Sequence, residues 1–154
     1  MGTSRKVGDL MSPNVVCFAP GTRVDAAERL LAERRVGGAP VVDADGKILG
    51  IVTQNDLVRH ASRRVTVAEA GRFFTTEDDL AEIGSMALSP GDAAIEEVMT
   101  SEIYTVARGD EVAVAANLMR ERRIHRVLVT ERGRLVGILT SLDLLRVIEE
   151  LGTR

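Results

Sequence analysis

The sequence of 154 residues has one cysteine, two histidines, four prolines, no tryptophan, three phenylalanines and one tyrosine. A single thiol excludes an internal disulfide and a cysteine-rich zinc site. Cys17, His60 and His125 leave metal chemistry few ligands. No apolar run approaches the roughly 18 residues that span a bilayer. The opening MGTSRKVGDL lacks the apolar core of a signal peptide, so a cytoplasmic chain without membrane insertion is expected. Lys+Arg 20 against Asp+Glu 23 leaves a formal net charge of −3, and no basic field points to nucleic acid. There is no Walker-type glycine loop with lysine and no GxGxxG after a strand. Nor is there a readable set of nucleophile, base and orienting group, so no enzyme is expected. The 45% hydrophobic and 28% charged fractions are those of a globular chain.

What is present is a repetition, the feature to look for before motifs. At an offset of 88, Met11, Gly21, Val24, Ala27 and Leu30 fall on Met99, Gly109, Val112, Ala115 and Leu118, and Glu33-Arg34-Arg35 on Glu121-Arg122-Arg123. After one deletion the offset is 87, and Gly46, Gly50, Ile51, Thr53, Asp56, Leu57 and Arg59 meet Gly133, Gly137, Ile138, Thr140, Asp143, Leu144 and Arg146. So many matches in order mark a duplication. Each copy reads β-α-β-β-α. Short apolar stretches over Asn14–Phe18 and Glu102–Val106 read as strands. Helices follow, with Thr22 and Asp110 as N-caps and Val24/Ala27/Leu31 or Val112/Ala115/Met119 on one face. A strand–turn–strand comes next, with glycine in the turn, and then a second helix from Asn55 to about Ala61 or Leu142 to about Leu151. The fold class is α/β (α+β), with repeats at 7–62 and 94–151 and a linker at 63–93. The linker carries its own helix signal from Thr76 and the Phe73-Phe74 pair. At roughly 55 residues neither copy buries enough surface to stand comfortably alone, so the two should pack by pseudo-twofold symmetry.

Thr53-Gln54-Asn55-Asp56 and Thr140-Ser141-Leu142-Asp143 both stand where a strand runs into a helix. One reading is a capping box. The other is a binding site: a helix N-terminus favours anions, and a short carboxylate there can accept both hydroxyls of a ribose. Cys17 alternates into a core-facing position and reads as a buried, inert thiol. The Glu-Arg-Arg runs read as helix-end surface, where positive charge suits the dipole.

The duplicated pattern resembles a tandem pair of cystathionine-β-synthase (CBS) domains. The resemblance is carried by the openers Val7-Gly8-Asp9-Leu10-Met11-Ser12 and Ile95-Glu96-Glu97-Val98-Met99-Thr100, the Ala39-Pro40-Val41-Val42 strand and both Thr-x-x-Asp elements. It implies a regulatory, ligand-sensing module with two clefts between the repeats that take adenosine compounds: AMP, ADP, ATP or S-adenosylmethionine. It further implies no required cofactor, a homodimer and a regulated protein partner. By motif position Asp56 and Asp143 would hold ribose, with Thr53, Asn55 and Thr140 beside them. The Asp56 cleft would face His125, Arg126 and Leu128, with Tyr104 near the base. The Asp143 cleft would face the stretch ending at Pro40, with Val16 near the base and no matching cation. A phosphorylated ligand is therefore expected at Asp56. The alternatives are a ligand-free dimerisation or protein-interaction module, and a cytosolic regulatory piece of a larger transporter or enzyme.

Overall fold

The computed structural model describes residues 4–63 and 93–152. The helix and phenylalanine pair expected in the linker lie outside the described residues. The elements in chain order are α1 (Val7–Leu10), α2 (Val24–Arg34), β1 (Gly38–Val42), β2 (Ile48–Thr53) and α3 (54–63), then a 3-10 turn (Ile95–Glu97), β3 (Thr105–Ala107), α4 (Val112–Arg122), β4 (Arg126–Glu131), β5 (Arg134–Thr140) and α5 (Ser141–Gly152). This is a mixed α+β fold with a two-stranded sheet, β1-β2, and a three-stranded sheet, β3-β4-β5. Among the described residues no helix is long and apolar enough to cross a membrane.

The chain divides into two compact units that cut across the sequence repeats. Unit 1 gathers 4–16, 44–48 and 102–152; unit 2 gathers 17–43, 49–63 and 93–101. The opening residues of each repeat therefore fold with the body of the other repeat.

In unit 1, β3 runs parallel to β4 with Val106 opposite Val129, and β4 runs antiparallel to β5. Arg132 and Gly133, at φ 52° and 75°, make the tight turn between β4 and β5, the two positive φ values that a twisted hairpin requires. The core holds Val106, Val127, Val129 and Leu139 from the sheet, Ala115 and Met119 from α4, and Val7 and Leu10 from α1. The opener is tied down by its backbone. Val7 and Gly8 donate to the carbonyls of Asp110 and Arg108, both at 2.9 Å, and Val112 donates to Arg5 at 3.0 Å. Ser12 and Ile138 then exchange two bonds of 2.9 and 3.0 Å.

Unit 2 repeats this scheme with the other opener. Ile95 donates to Thr22 at 2.7 Å, Glu96 to Pro20 at 3.2 Å and Val24 to Ala93 at 2.9 Å, while Thr100 and Ile51 exchange bonds of 2.8 and 2.9 Å. Here Phe18, Val24, Ala27, Leu31, Val41, Val52 and Ile95 are buried.

Three expectations are corrected. Thr22 and Asp110 are not the N-caps: Arg23 and Glu111 are, and neither supplies a side-chain cap. The N–H groups that a cap would have served on Val24 and Val112 go instead to the carbonyls of Ala93 and Arg5. The strand expected over Asn14–Phe18 shrinks to a single parallel bridge, Phe18 to Val41, whereas its counterpart forms β3, shifted to Thr105–Ala107. In unit 1, Leu128 donates to Tyr104 at 3.1 Å and Arg108 to Thr130 at 3.0 Å. At the matching positions of the first repeat stand Pro40 and Pro20, which have no N–H to donate, so the ladder is lost on both sides of Phe18. Finally, Cys17 is exposed. Phe18, at 4% exposure, takes the core-facing place, and alternation along extended chain turns its neighbour outward.

Gly50 and Gly137 explain why each repeated Gly-h-h-Thr element opens on glycine. A Cβ on Gly50 would lie 2.7 Å from the Thr100 carbonyl oxygen and 2.8 Å from Met99 Sδ. One on Gly137 would lie 2.6 Å from Met11 Sδ and 3.0 Å from the Ser12 carbonyl oxygen. The methionine end can move; the carbonyl cannot. Gly50→Ala should therefore destabilise the fold by about 1–3 kcal/mol through overpacking, and Gly137→Ala by less, as read by urea denaturation. Equal stability of Gly50→Ala and the parent chain would contradict this packing.

Candidate functional site

The two Thr-x-x-Asp elements are superimposable in their hydrogen bonding. In unit 2 the Oδ2 atom of Asp56 accepts from the backbone N–H and the hydroxyl of Thr53, both at 2.9 Å, and the Asp56 N–H returns a bond of 3.3 Å to Thr53 Oγ1. In unit 1 Asp143 Oδ2 accepts from Thr140 N–H at 2.8 Å and from its hydroxyl at 2.9 Å, and Asp143 N–H donates to Thr140 Oγ1 at 3.3 Å. The capping reading is thus realised, but it uses one carboxylate oxygen of each pair.

The second oxygens differ. Asp56 is buried, at 8% exposure. Its Oδ1 accepts from the Thr100 hydroxyl at 3.4 Å, with Arg59 Nη1 4.0 Å away. Asp143 is half-buried, and among the described residues no hydrogen bond or ion pair reaches its Oδ1. Ser12 and Arg146 occupy the places of Thr100 and Arg59 in the repeat. Each element is anchored by the loop before the neighbouring strand: Gln54 N–H donates to the Gly37 carbonyl at 2.9 Å and Ser141 N–H to the His125 carbonyl at 2.8 Å.

The other expected site residues are distributed as follows. In unit 2 Asn55 is exposed and Pro40 is buried beside β2. In unit 1 His125 and Arg126 are exposed, Leu128 is buried and Val16 half-buried. Arg126 pairs with Thr140 across β4 and β5. The expected association of Asp56 with Tyr104, His125 and Arg126 draws on residues of both units.

Tyr104 shows a second constellation. Its hydroxyl donates to Glu102 Oε1 at 2.6 Å, and the Arg122 guanidinium lies 5.4 Å from the ring centroid, within cation–π range. Arg122, read from the sequence as helix-end surface, is therefore a partner of the only tyrosine; so is Thr100 a partner of Asp56. The signals for both lay in the sequence: an arginine closing α4, and a hydroxyl repeated as Ser12 and Thr100. The hydrogen bond to Glu102 raises the Tyr104 pKa above its ordinary value, with loss of hydration adding to it and Arg122 opposing it. With one tyrosine and no tryptophan, an ultraviolet absorbance titration of the chain reads this phenol alone. Its midpoint should lie above that of free tyrosine and fall toward it in Glu102→Gln; an unchanged midpoint in that variant would remove Glu102 as the cause.

A family model described as the CBS domain matches residues 7–63 and 95–150. The chain is 29% identical over 147 residues to the chloroplastic CBS domain-containing protein CBSX2 of Arabidopsis thaliana, covering 91% of this chain and 62% of that protein. A crystal structure of CBSX2 in complex with AMP superimposes with a TM-score of 0.71 at 27% identity, covering 96% of this chain and 98% of that one. An uncharacterized protein of Methanocaldococcus jannaschii is 22% identical over 142 residues, 92% of this chain but 42% of its own length. The chain thus spans less than half of that relative. The duplicated frame, its two Thr–Asp pairs and the match over both repeats place the chain in the CBS-domain family, as a tandem pair of CBS repeats.

Proposed function

We propose that the chain is a regulatory module that binds adenosine nucleotides, with Asp56 and Asp143 accepting ribose hydroxyls, and that it performs no catalysis. One observation carries this reading. Each Thr–Asp pair is built twice in the same geometry, yet the helix start consumes only Oδ2 and leaves Oδ1 for a hydroxyl. On Asp143 that oxygen has no partner among the described residues. On Asp56 it has weak ones, at 3.4 and 4.0 Å, which a ribose would displace. The AMP complex of CBSX2 supports AMP as the first candidate, with ADP, ATP and S-adenosylmethionine as the others. In this reading His125 and Arg126 serve phosphate, Arg through its forked donors, and Tyr104, Val16, Leu128 and Pro40 form the surroundings of the base. The ligand shifts the module between two packings by the difference in its affinity for them, and a protein partner reads the shift. A cytoplasmic setting belongs to the same proposal.

The competing reading, a ligand-free interaction module, takes support from α5. Leu142, Leu145, Ile148 and Leu151 are 73%, 50%, 63% and 68% exposed, an apolar stripe that a helix of a lone soluble domain does not usually leave open. We assign this stripe to a homodimer, which is compatible with either reading and with a regulatory piece of a longer protein.

Two measurements follow. In calorimetry, Asp56→Ala should weaken AMP binding about tenfold or more, the loss expected for hydrogen bonds to a charged group, and more than Asp143→Ala does. Binding that is absent, or untouched by both variants, would favour the interaction module. In analytical ultracentrifugation, Ile148→Glu should turn a dimer into a folded monomer; a parent chain that is monomeric at high concentration would exclude the dimer.

A further inference from the structure

Thr100 and Ser12 hold the same place in the two repeats and the same backbone register. Thr100 exchanges bonds of 2.8 and 2.9 Å with Ile51, and Ser12 exchanges bonds of 2.9 and 3.0 Å with Ile138. Their hydroxyls differ. In unit 2 the Thr100 hydroxyl donates to Oδ1 of Asp56 at 3.4 Å. In unit 1 Ser12 is exposed, and among the described residues no hydrogen bond reaches Oδ1 of Asp143. Burial accounts for the contrast. Asp56 is 8% exposed, so its second oxygen needs a donor from the protein, whereas Asp143 is half-buried and open to water. Arg59, 4.0 Å from Asp56, has Arg146 as its counterpart, so the arginine is common to both repeats and the hydroxyl contact is not.

Thr100 ends the stretch that closes unit 2. Through Ala93, Ile95 and Thr100 that stretch bonds the start of α2, the loop before it and β2. Its side-chain tie to Asp56 is one that a ligand on Oδ1 would contest, because 3.4 Å is at the weak end for a hydroxyl on a carboxylate. Asp56 and Thr100 also border a polar cavity of about 250 Å3, lined further by Arg59, His60 and Arg63 of α3. A displaced hydroxyl therefore turns toward polar surroundings rather than into apolar core.

We infer that Thr100 couples ligand binding at Asp56 to the docking of residues 93–100, an inference that rests on the function proposed above. A ribose hydroxyl that takes Oδ1 displaces the Thr100 hydroxyl and loosens the stretch. A ligand on Asp143 finds an oxygen with no such donor and leaves 5–12 as it was. The coupling is reciprocal: the docked stretch weakens the ligand at Asp56 by the same factor by which the ligand weakens the docking. One of two matched carboxylates thus signals to the backbone that frames its unit, and the other binds without doing so.

The test is hydrogen exchange and amide NMR of the full isotope-labelled chain with AMP. Shifts of the Thr53 and Thr140 amides report occupancy of Asp56 and Asp143 separately. Exchange of the Ile51 and Thr100 amides, which bond each other's carbonyls, reports docking. A ligand ordinarily slows exchange by stabilising the fold. Here AMP should speed it at Ile51 and Thr100 by about threefold, the worth of a modest hydrogen bond, and not at Ser12 or Ile138. Thr100→Val, close in shape and without the hydroxyl, should exchange faster before AMP is added and show no further change with it. It should also bind AMP at Asp56 about threefold more tightly. Thr100→Ser keeps the donor and should behave as the parent chain does. A Thr140 shift without a Thr53 shift, occupancy of Asp56 with unchanged or slower exchange at Ile51 and Thr100, or no gain of affinity in Thr100→Val overturns the coupling and leaves the proposed function standing. AMP that moves neither Thr53 nor Thr140 overturns both.

Discussion

Two short opening stretches, 5–12 and 93–100, each with a single helical turn at its centre, satisfy the open ends of the helices on which each unit is built. The N-terminal N–H groups of a helix have no partner within it, and α4 and α2 solve this by bonding the carbonyls of Arg5 and Ala93. The same stretches bury Val7 and Ile95 completely, worth about 2 kcal/mol each at the usual value for an aliphatic side chain. They then add a strand-like pairing to β5 and β2 at Ser12 and Thr100. The remaining features follow from this docking. Gly137 and Gly50 are glycines because the openers pass within 3.0 Å of a Cβ there. Thr100 reaches Asp56 because the opener of the second repeat lies in unit 2.

Much of this was legible in the sequence, because a duplication lets each copy check the other. The hairpins, their glycine turns, the buried faces of α2 and α4 and the helices after each Thr-x-x-Asp element could all be read from residue periodicity and turn chemistry. What could not be read depended on partners distant in sequence. Thr22 and Asp110 look like N-caps locally, but a backbone carbonyl from the opener had already taken that position. The first strand failed because of Pro20 and Pro40, whose missing N–H groups matter only once the strand they face is known. Alternation along extended chain turns either Cys17 or Phe18 inward, and the larger apolar side chain, Phe18, is the one the core takes.

The site was legible to a similar degree. Thr53, Asp56, Thr140 and Asp143 form the pairs their spacing suggests, and the capping bonds do not exclude the proposed binding, since they use only Oδ2 of each carboxylate. The roles of Arg122 and Thr100 were marked only by an arginine closing α4 and a hydroxyl repeated at Ser12, because each is completed by a side chain from a separate element. The two copies keep a common frame and differ in charge: α3 faces its cavity with arginines and a histidine, whereas α5 has Val147 and Glu150 at two of those places and an exposed apolar stripe.

The central claim, that the Thr–Asp pairs are ribose receptors as well as helix caps, is tested most directly by backbone amide NMR of the isotope-labelled chain titrated with AMP. The N–H groups of Thr53 and Thr140 donate to the very carboxylates in question, so they report any new hydrogen bond those carboxylates accept. A saturable shift of one or both of these amides is the predicted result. A titration in which AMP leaves both unmoved would contradict the account and reduce the pairs to helix caps.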